Sequence, residues 1–305
     1  MNIAIAGGTG FIGQALVRKW LNAGHQVTVI SRSSTRTEQH LQARQFSWEQ
    51  VLAEPEELGK LDVLVNLAGA TLNQRWTEEA KKEIIQSRLH TVQLLARLLD
   101  SLPQKPGVVI QGSAIGIYGT SLDQTFDESS ATTSRDFLAR VTTGWEQAAE
   151  MLHKDGVRLV KLRTGVVLGN EGGAFPLMRL PYMLGAGGRI GSGEQWLSWI
   201  HIEDMVGLLD FIIHQPELYG PVNAVGPNPT TNNSFGKTLA TVYHKPYLLP
   251  VPSLVLKTIL GERATLVLDG QRVLPTKAIQ AGFTFKYPDL EAAFQALKIS
   301  KGPSK

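Results

Sequence analysis

The first half of the chain alternates short apolar runs with longer stretches of helical hydrophobic spacing. The apolar runs have the length and aliphatic content of strands buried in a parallel sheet. They lie at residues 2–6, 25–31, 61–67, 108–111 and 157–163, with 46–48 as a candidate further strand. The helical stretches between them lie at residues 14–22, 78–99 and 136–155. This alternation predicts a parallel sheet whose strands are joined by right-handed helical crossovers.

The pattern changes after Thr164. Residues 169–193 are rich in glycine and interrupted by Pro176 and Pro181, which predicts an irregular lid or pocket wall. The remaining segments predict helices at 203–214, 234–243, 260–268 and 290–297, with a return to the sheet at 222–225. The expected fold class is therefore α/β, a doubly wound parallel sheet with a smaller α+β domain in the C-terminal part.

A glycine motif directly follows the first strand. Gly7, Gly10 and Gly13 stand at three-residue spacing and open the first helix. Glycine lets the backbone approach a pyrophosphate closely, and the free N–H groups at a helix start hold the anion. The alternative is a tight strand–helix turn with no ligand, but strand, glycine turn and helix in this order favour a nucleotide site. The residues assigned to it are Gly7, Thr9, Gly10, Phe11, Ile12 and Gly13.

The end of the second strand bears on the choice of cofactor. An NAD site usually has Asp or Glu there, to accept from the ribose 2′-hydroxyl. This chain has Ser31, Arg32 and Ser33, with Arg36 close behind and no carboxylate before Glu38. A guanidinium and hydroxyl groups suit a 2′-phosphate, which predicts NADP(H). The alternative is a solvated basic turn.

Four loops should meet at one edge of the sheet, because ligands of such folds gather at the carboxyl ends of the strands. These loops are the glycine turn and the segments that follow Asn66, Ser113 and Thr164. Small residues after Asn66 let the backbone lie against a ligand. The predicted cofactor-binding residues in that loop are Leu67, Ala68 and Gly69.

The composition excludes several kinds of site. The 305 residues include no cysteine, so disulfides, thiolate metal sites and cysteine nucleophiles are absent. A net charge of +3 without a basic stripe argues against a nucleic-acid partner. No apolar run reaches the ~18 residues of a membrane span, and no signal-peptide pattern precedes the first strand. The expected location is the cytoplasm.

The assembled motifs resemble the extended short-chain dehydrogenase/reductase superfamily, which contains nucleotide-sugar epimerases and dehydratases. Residues 7–13, 66–69 and 113–119 match its nucleotide fingerprint, its next signature and its serine region. A closer resemblance is to its atypical epimerase-family (SDR39U1-type) branch. It is carried by residues 75–77, 87–88, 163–169, 172–173, 198–204, 223–224, 261–262, 270–275 and 281–283.

This resemblance spans almost the whole chain and implies a Rossmann domain that binds NADP(H) and a small-molecule substrate. We expect residues 1–165, with 200–225 returning, to form that domain, and residues 166–199 and 226–305 to form a substrate domain. Arg163 and Val166 join the predicted cofactor site. Arg88 and Arg163 could each serve a phosphate charge, and the alternative for both is pairing with a carboxylate. Predicted residues at the substrate cleft are Arg75, Trp76, Gly172, Gly173 and Trp196, and the alternative for Trp196 and Trp199 is packing between domains.

The catalytic centre departs from the superfamily pattern. The proton relay of the superfamily is a tyrosine with a lysine four residues later. None of the six tyrosines of this chain has lysine at that spacing. The helix expected to carry the pair offers Leu138 and Thr142 instead. Ser113 and Tyr118 remain the candidate catalytic residues, although one more residue separates them than in the usual superfamily pattern. The alternative for them is a structural role.

Two functions therefore stay open. One is an NADP(H)-dependent oxidoreductase or epimerase that acts on a small polar substrate. The other is a catalytically silent NADP(H)-binding protein with a regulatory or redox-sensing role. His201, Glu203 and Asp204 do not have the spacing of a compact metal site, so no metal is expected. The sequence does not indicate the substrate or the oligomeric state.

Overall fold

The computed structural model describes residues 1–32, 43–132 and 136–300. Its strands are β1 (Asn2–Ala6), β2 (Gln26–Ser31), β3 (Arg44–Ser47), β4 (Val63–Asn66), β5 (Val108–Ala114), β6 (Thr125–Phe126), β7 (Arg158–Thr164), β8 (Val166–Leu168), β9 (Trp196–Leu197), β10 (Trp199–His201), β11 (Gly220–Ala224), β12 (Thr230–Thr231) and β13 (Arg272–Val273). Its α-helices are α1 (Phe11–Asn22), α2 (Trp48–Ala53), α3 (Glu78–Ser101), α4 (Phe137–Ala148), α5 (Phe175–Met183), α6 (Ile202–His214), α7 (Asn232–Tyr243), α8 (Ser253–Leu260), α9 (Thr265–Leu268), α10 (Thr276–Gln280) and α11 (Leu290–Ile299).

Seven strands form one parallel sheet in the order β3-β2-β1-β4-β5-β7-β11. The chain runs outward from β1 to β3 and then returns to the other side of β1 with β4. The topological switch point therefore lies between β1 and β4, where ligands bind in open parallel sheets. This doubly wound sheet confirms the predicted fold class. Residues 220–224, near the predicted return, form the edge strand β11 beside β7.

Helices cover both faces of the sheet. On one face, Leu16 and Trp20 of α1 pack with Leu208 of α6 against the strands. On the other, Leu95 of α3 and Trp145 of α4 belong to a second buried cluster. The strands are apolar toward both sides because each face is buried beneath helices.

The C-terminal part has its own apolar cluster. Phe294 of α11 packs against Phe175 of α5 and Phe235 of α7, with ring centroids 5.6 and 5.0 Å apart. Short two-stranded ladders, β8 with β10, β9 with β12 and β6 with β13, connect this part to the loops at the sheet edge.

Two predictions about the C-terminal part are wrong. The segment 169–193 is not irregular throughout, since it contains the helix α5. The helix tolerates Pro176 because this residue stands in the first turn, where the missing N–H removes no helical bond. The predicted helix 260–268 is divided, since Gly261 adopts a positive φ of 58° and ends α8. A helical turn at Gly261–Ala264 and the short α9 follow.

The longest described helix, α3, has 24 residues and carries charged side chains along its length. Across the ranges that the structure describes, no helix has both the length and the apolar character needed to cross a membrane.

Candidate functional site

The glycine turn after β1 lies tightly against the loop after β4. Gly7 has φ +82°, and a Cβ there would stand 2.7 Å from the backbone nitrogen of Ala68 and 2.8 Å from the carbonyl carbon of Leu67. A Cβ at Gly13 would collide with the Gly7 carbonyl oxygen. These two glycines are therefore required by contacts within the protein itself.

Gly10 differs, because the space outside it is open. A Cβ there would approach one described atom within 4 Å, the Gly7 carbonyl oxygen at 3.3 Å. Gly10 is the N-cap of α1, no side chain of the described residues caps this helix, and its first turn has no acidic residue. The first N–H groups of a helix have no intrahelical partner. The start of α1 therefore has the backbone and the charge that suit a phosphate group.

Phe11 connects this turn to the loop after β8. Its ring lies against glycines, since a Cβ at Gly172 would be 2.9 Å from the Phe11 Cβ and one at Gly173 would be 3.1 Å from Phe11 Cε1. Gly172 and Gly173, predicted at the substrate cleft, thus lie beside the glycine turn. Their contact with a substrate stays a prediction.

The end of β2 lies at the same edge. The Gly7 N–H donates to the Ile30 carbonyl oxygen at 3.4 Å, so the next residues, Ser31 and Arg32, lie beside the glycine turn. The Arg32 side chain is exposed. Ser33 and Arg36, which contributed to the NADP(H) prediction, lie outside the described residues.

Side chains of β4 and α3 fix the loop after β4 through hydrogen bonds. The buried Asn66 accepts a hydrogen bond from the Ala68 N–H at 3.1 Å and donates one to Gln111 at 2.9 Å. Ser87 Oγ accepts from the Ala70 N–H at 3.0 Å, and Arg88 Nη1 donates to the Ala70 carbonyl at 3.1 Å. The loop that contains Leu67, Ala68 and Gly69 is therefore fixed before any ligand binds.

Ser113 and Arg163 meet at a carboxylate that the sequence did not single out. Ser113 Oγ donates to Glu146 Oε1 at 2.7 Å. Arg163 Nε donates to Oε1 at 2.8 Å and Nη2 to Oε2 at 2.9 Å, forming a two-pronged buried ion pair. The alternative for Arg163, pairing with a carboxylate, is thus what the structure shows for its side chain. Only its main chain is left for the predicted cofactor contact.

Tyr118 belongs to the same buried network. Its hydroxyl accepts from Arg163 Nη1 at 2.9 Å and donates to Asn223 Oδ1 at 2.8 Å. The ring is stacked on Phe126 with centroids 5.4 Å apart. Burial raises the pKa of Tyr118, while the Arg163 charge opposes this effect. Both Ser113 and Tyr118 are only 4% exposed, so the structure brings the candidate catalytic residues together but engages both hydroxyls within the protein.

The helix α4 occupies the place where a tyrosine–lysine pair is expected. Thr142 Oγ1 donates to the Leu138 carbonyl at 2.9 Å, a bond internal to the helix. The Leu138 side chain packs against Gly116, whose added Cβ would lie 3.3 Å from Leu138 Cβ. Neither position supplies an acid or a base.

The predicted substrate residues lie on separate segments. Arg75 is exposed, and the Trp76 ring packs against Phe137 with centroids 5.0 Å apart. Trp196 Nε1 donates to the Leu122 carbonyl at 2.7 Å, and the Arg272 guanidinium lies 4.8 Å from its ring centroid. One face of Trp196 is therefore already occupied, and its stacking on a substrate stays a prediction.

The segment at the start of α6 joins it to the C-terminal region. His201 Nδ1 accepts from the Glu203 N–H at 3.2 Å and caps the helix. Asp204 accepts from the backbone N–H groups of Lys286 and Tyr287 at 2.7 and 2.9 Å. Glu203 pairs with Lys286 at 2.6 Å. These side chains serve helix capping and docking of the C-terminal segment.

Known proteins resemble the chain along nearly its full length. Residues 3–225 match the model of the NAD dependent epimerase/dehydratase family, and residues 251–297 match a domain of unknown function. The epimerase family protein YfhF of Bacillus subtilis is 46% identical over 298 residues, covering 97% of this chain and 98% of that protein. An epimerase family protein of Staphylococcus saprophyticus is 41% identical over 293 residues, covering 96% and 98%.

A solved structure agrees with these matches. The human epimerase family protein SDR39U1, crystallised with NADPH, superposes with a TM-score of 0.90 at 37% identity. The match covers 99% of this chain and 100% of that one. The resemblance inferred from the motifs is confirmed. The chain therefore belongs to the NAD dependent epimerase/dehydratase family.

Proposed function

We propose that this protein binds NADP(H) across the carboxyl edge of its sheet. The observation that carries the proposal is the open space at Gly10, at the uncapped and acid-free start of α1. Such a helix start holds a phosphate through backbone N–H groups. The human relative crystallised with NADPH supports the same ligand. In this proposal the pyrophosphate lies at residues 7–13, and the adenosine ribose lies toward Ser31 and Arg32.

Gly10→Ala should weaken NADPH binding at least tenfold, about 1.4 kcal/mol, while the fold survives. The added methyl group meets little within the protein and points into the space that the pyrophosphate would occupy. Titration calorimetry measures the affinity, and a thermal melt checks the fold. Unchanged affinity would show that the phosphates bind elsewhere. Gly13→Ala is the contrasting variant, because its methyl group collides with Gly7 and should disturb the turn itself.

Arg32→Ala should remove the preference for NADP(H) over NAD(H). A lost charge-assisted contact to the 2′-phosphate should weaken NADPH binding by about 1.5–3 kcal/mol, whereas NADH lacks that phosphate and should bind as before. Both cofactors are titrated against the wild type and the variant, with the exposed Arg97→Ala on α3 as a matched control. Equal wild-type affinities for NADPH and NADH would contradict the assignment.

The first candidate activity is that of an oxidoreductase or epimerase on a small polar substrate. NADP(H) would supply or accept the hydride, and the substrate would lie between the 1–165 domain, with 200–225, and the remaining residues. Within the protein, the β4 loop and the glycine turn would position the cofactor. Any proton would have to come from a group other than Ser113 or Tyr118 as they stand, since both are already bonded within the network.

The second candidate is a silent NADP(H)-binding protein with a regulatory or redox-sensing role. The observation that favours it is the engagement of both catalytic candidates, together with the missing tyrosine–lysine pair. A panel of carbonyl compounds, followed through NADPH absorbance, separates the two functions. Turnover supports the oxidoreductase. Tight NADPH binding without turnover of any carbonyl supports the silent protein.

Tyr118→Phe should destabilise the fold without changing NADPH affinity. The phenylalanine removes the partner of Arg163 Nη1 and of Asn223 Oδ1 in a buried place, which should cost about 1–3 kcal/mol. Chemical denaturation measures the loss. With a substrate in hand, the turnover number of the variant should stay near that of the wild type. A fall of roughly 10²–10⁴ in turnover would instead identify Tyr118 as a general acid.

A further inference from the structure

Arg88 and Arg163 both lie near the carboxyl edge of the sheet, and of these two only Arg163 has an acidic partner among the described residues. Arg163 is paired with Glu146 through two nitrogens. Arg88, which extends from α3, forms no ion pair with any carboxylate among the described residues. Its Nη1 donates to the carbonyl oxygens of Ala70 and Ile84 at 3.1 and 2.9 Å. Its guanidinium carbon lies 5.0 Å from the Trp145 ring centroid.

This position is costly for a cation. Burial lowers the pKa of Arg88 to about 10, and among the described residues no neighbouring charge offsets that effect. Removing an ion from water carries an effective penalty of several kcal/mol. Two carbonyl groups and one aromatic face compensate part of it. An anion bound at the same place would compensate more.

The other nitrogens of Arg88 remain available. Nε and Nη2 donate to no atom of the described residues, and neither is among the fully buried side-chain atoms that lack a partner. Both therefore keep accessible surface. Because a guanidinium holds its N–H groups in a planar fork, two adjacent open nitrogens suit a carboxylate or a phosphate.

The position of Arg88 indicates which part of a ligand it would meet. A Cβ at Gly69, after β4, would lie 3.2 Å from Arg88 Cζ. The Trp145 ring beneath the guanidinium also packs against Gly112 of β5, whose Cβ would lie 3.1 Å from Trp145 Cη2. Arg88 thus lies between the ends of β4 and β5. With phosphates at β1 and adenosine toward β2, the β4–β5 side is left for the nicotinamide and the substrate.

We propose that Arg88 binds an anionic oxygen group of the substrate, a carboxylate or a phosphate, through Nε and Nη2 beside the nicotinamide. The placement rests on the proposed NADP(H) site, whereas the anion site itself rests on Arg88 and its neighbours. The substrate class is then a small polar molecule with a negative charge close to the carbon that exchanges the hydride. Arg88 is a binding residue in this scheme and transfers no proton.

The test uses the intact protein saturated with NADPH, so that the glycine turn is occupied and cannot take the probe. Acetate, inorganic phosphate and neutral acetamide are titrated separately, with tryptophan fluorescence and calorimetry as readouts. The variants are Arg88→Gln, Arg88→Lys and the control Arg97→Gln, an exposed arginine on the same helix. Thermal melts confirm folding, and Arg88→Lys keeps a cation if the glutamine variant proves unstable.

We expect saturable binding of acetate or phosphate to the wild type and to Arg97→Gln, with none for acetamide. Arg88→Gln should weaken the anion at least tenfold, about 1.4 kcal/mol, and Arg88→Lys should weaken it less, because the charge remains without the fork. NADPH affinity should be unchanged in both Arg88 variants.

Equal anion affinity in the wild type and Arg88→Gln would overturn the proposal, as would an absence of saturable anion binding to the wild type. A tenfold loss of NADPH affinity in Arg88→Gln would assign the cation to the cofactor and overturn the substrate role. If NADPH fails to bind the wild type, the same titrations are made without it. Arg88-dependent acetate binding would then support the anion site while the proposed NADP(H) function fails.

Discussion

Replacing Arg163 by methionine should lower the free energy of unfolding by about 3–5 kcal/mol. The variant leaves the Glu146 carboxylate buried without its cation, and Ser113 Oγ then supplies its remaining described side-chain hydrogen bond. It also removes the Arg163 Nη1 donor from the Tyr118 hydroxyl. Urea denaturation at pH 7 measures the loss.

Two further variants identify the cause. Lys161→Met on the same strand breaks the pair with Glu150, whose side chain is 63% exposed, and should cost at most about 1 kcal/mol. The double variant Arg163→Met with Glu146→Leu removes both buried charges and should recover part of the loss. A single variant as stable as the wild type would show that the pair contributes little. A double variant no better than the single would assign the loss to packing.

Lowering the pH from 7 to 4 should cost the fold about 3 kcal/mol through His201 alone, since each pKa unit corresponds to about 1.4 kcal/mol. His201 is 2% exposed, and burial lowers its pKa from 6.5 to about 4, with the Glu203 charge opposing and the Lys286 charge adding to the effect. The unfolded chain therefore binds a proton between pH 6.5 and 4 that the folded protein does not. The contribution of His201 to the free energy of unfolding is therefore present above pH 6.5 and is lost as the pH falls toward 4.

His201→Asn isolates this contribution, because asparagine also caps helices well but does not titrate in this range. Urea unfolding is measured for both proteins at pH 7, 5.5 and 4.5. The free energy of unfolding of the wild type, relative to that of His201→Asn, should decrease as the pH falls. Parallel pH dependence in the two proteins would show that His201 accepts its proton equally well in the folded state.

The network around Arg163 also bears on function. It lies at the carboxyl ends of β5 and β7, and it extends beyond the sheet. Glu128 accepts from the Asn223 N–H at 3.0 Å and from the Lys277 N–H at 3.3 Å, so a second buried carboxylate ties β11 to α10. Burial raises the pKa of Glu128. Through Glu128 and Asn223 these buried polar groups join the sheet to the C-terminal region.

Much of the first half of the chain could be predicted from local sequence. The apolar runs and the glycine spacing act over a few neighbouring positions, where backbone sterics and strand burial leave few alternatives. The glycine turn shows why this works, since Gly7 and Gly13 are required by contacts within one strand–turn–helix unit and with the adjacent loop.

Helices of the C-terminal part were harder to predict. None of the eight residues of α8 is buried, so this helix forms without contributing to the buried core. In α5, Pro181 stands inside the helix and reads in isolation as a helix breaker. In both cases local propensity was a poor guide to the element that forms.

The roles of the polar side chains depended on distant partners. The sequence left two roles open for Arg163, a cofactor contact or pairing with a carboxylate. Its side chain pairs with Glu146, because α4 packs against β5, the neighbour of β7 in the sheet. Tyr118 meets Asn223, 105 residues away, because β11 closes the sheet beside β7. Arg88 finds no such carboxylate among the described residues. Local sequence specified the strands and the glycine turn. The partner of each buried charge was set by tertiary packing, since the energy of a buried charge depends on which group lies within a few ångströms of it.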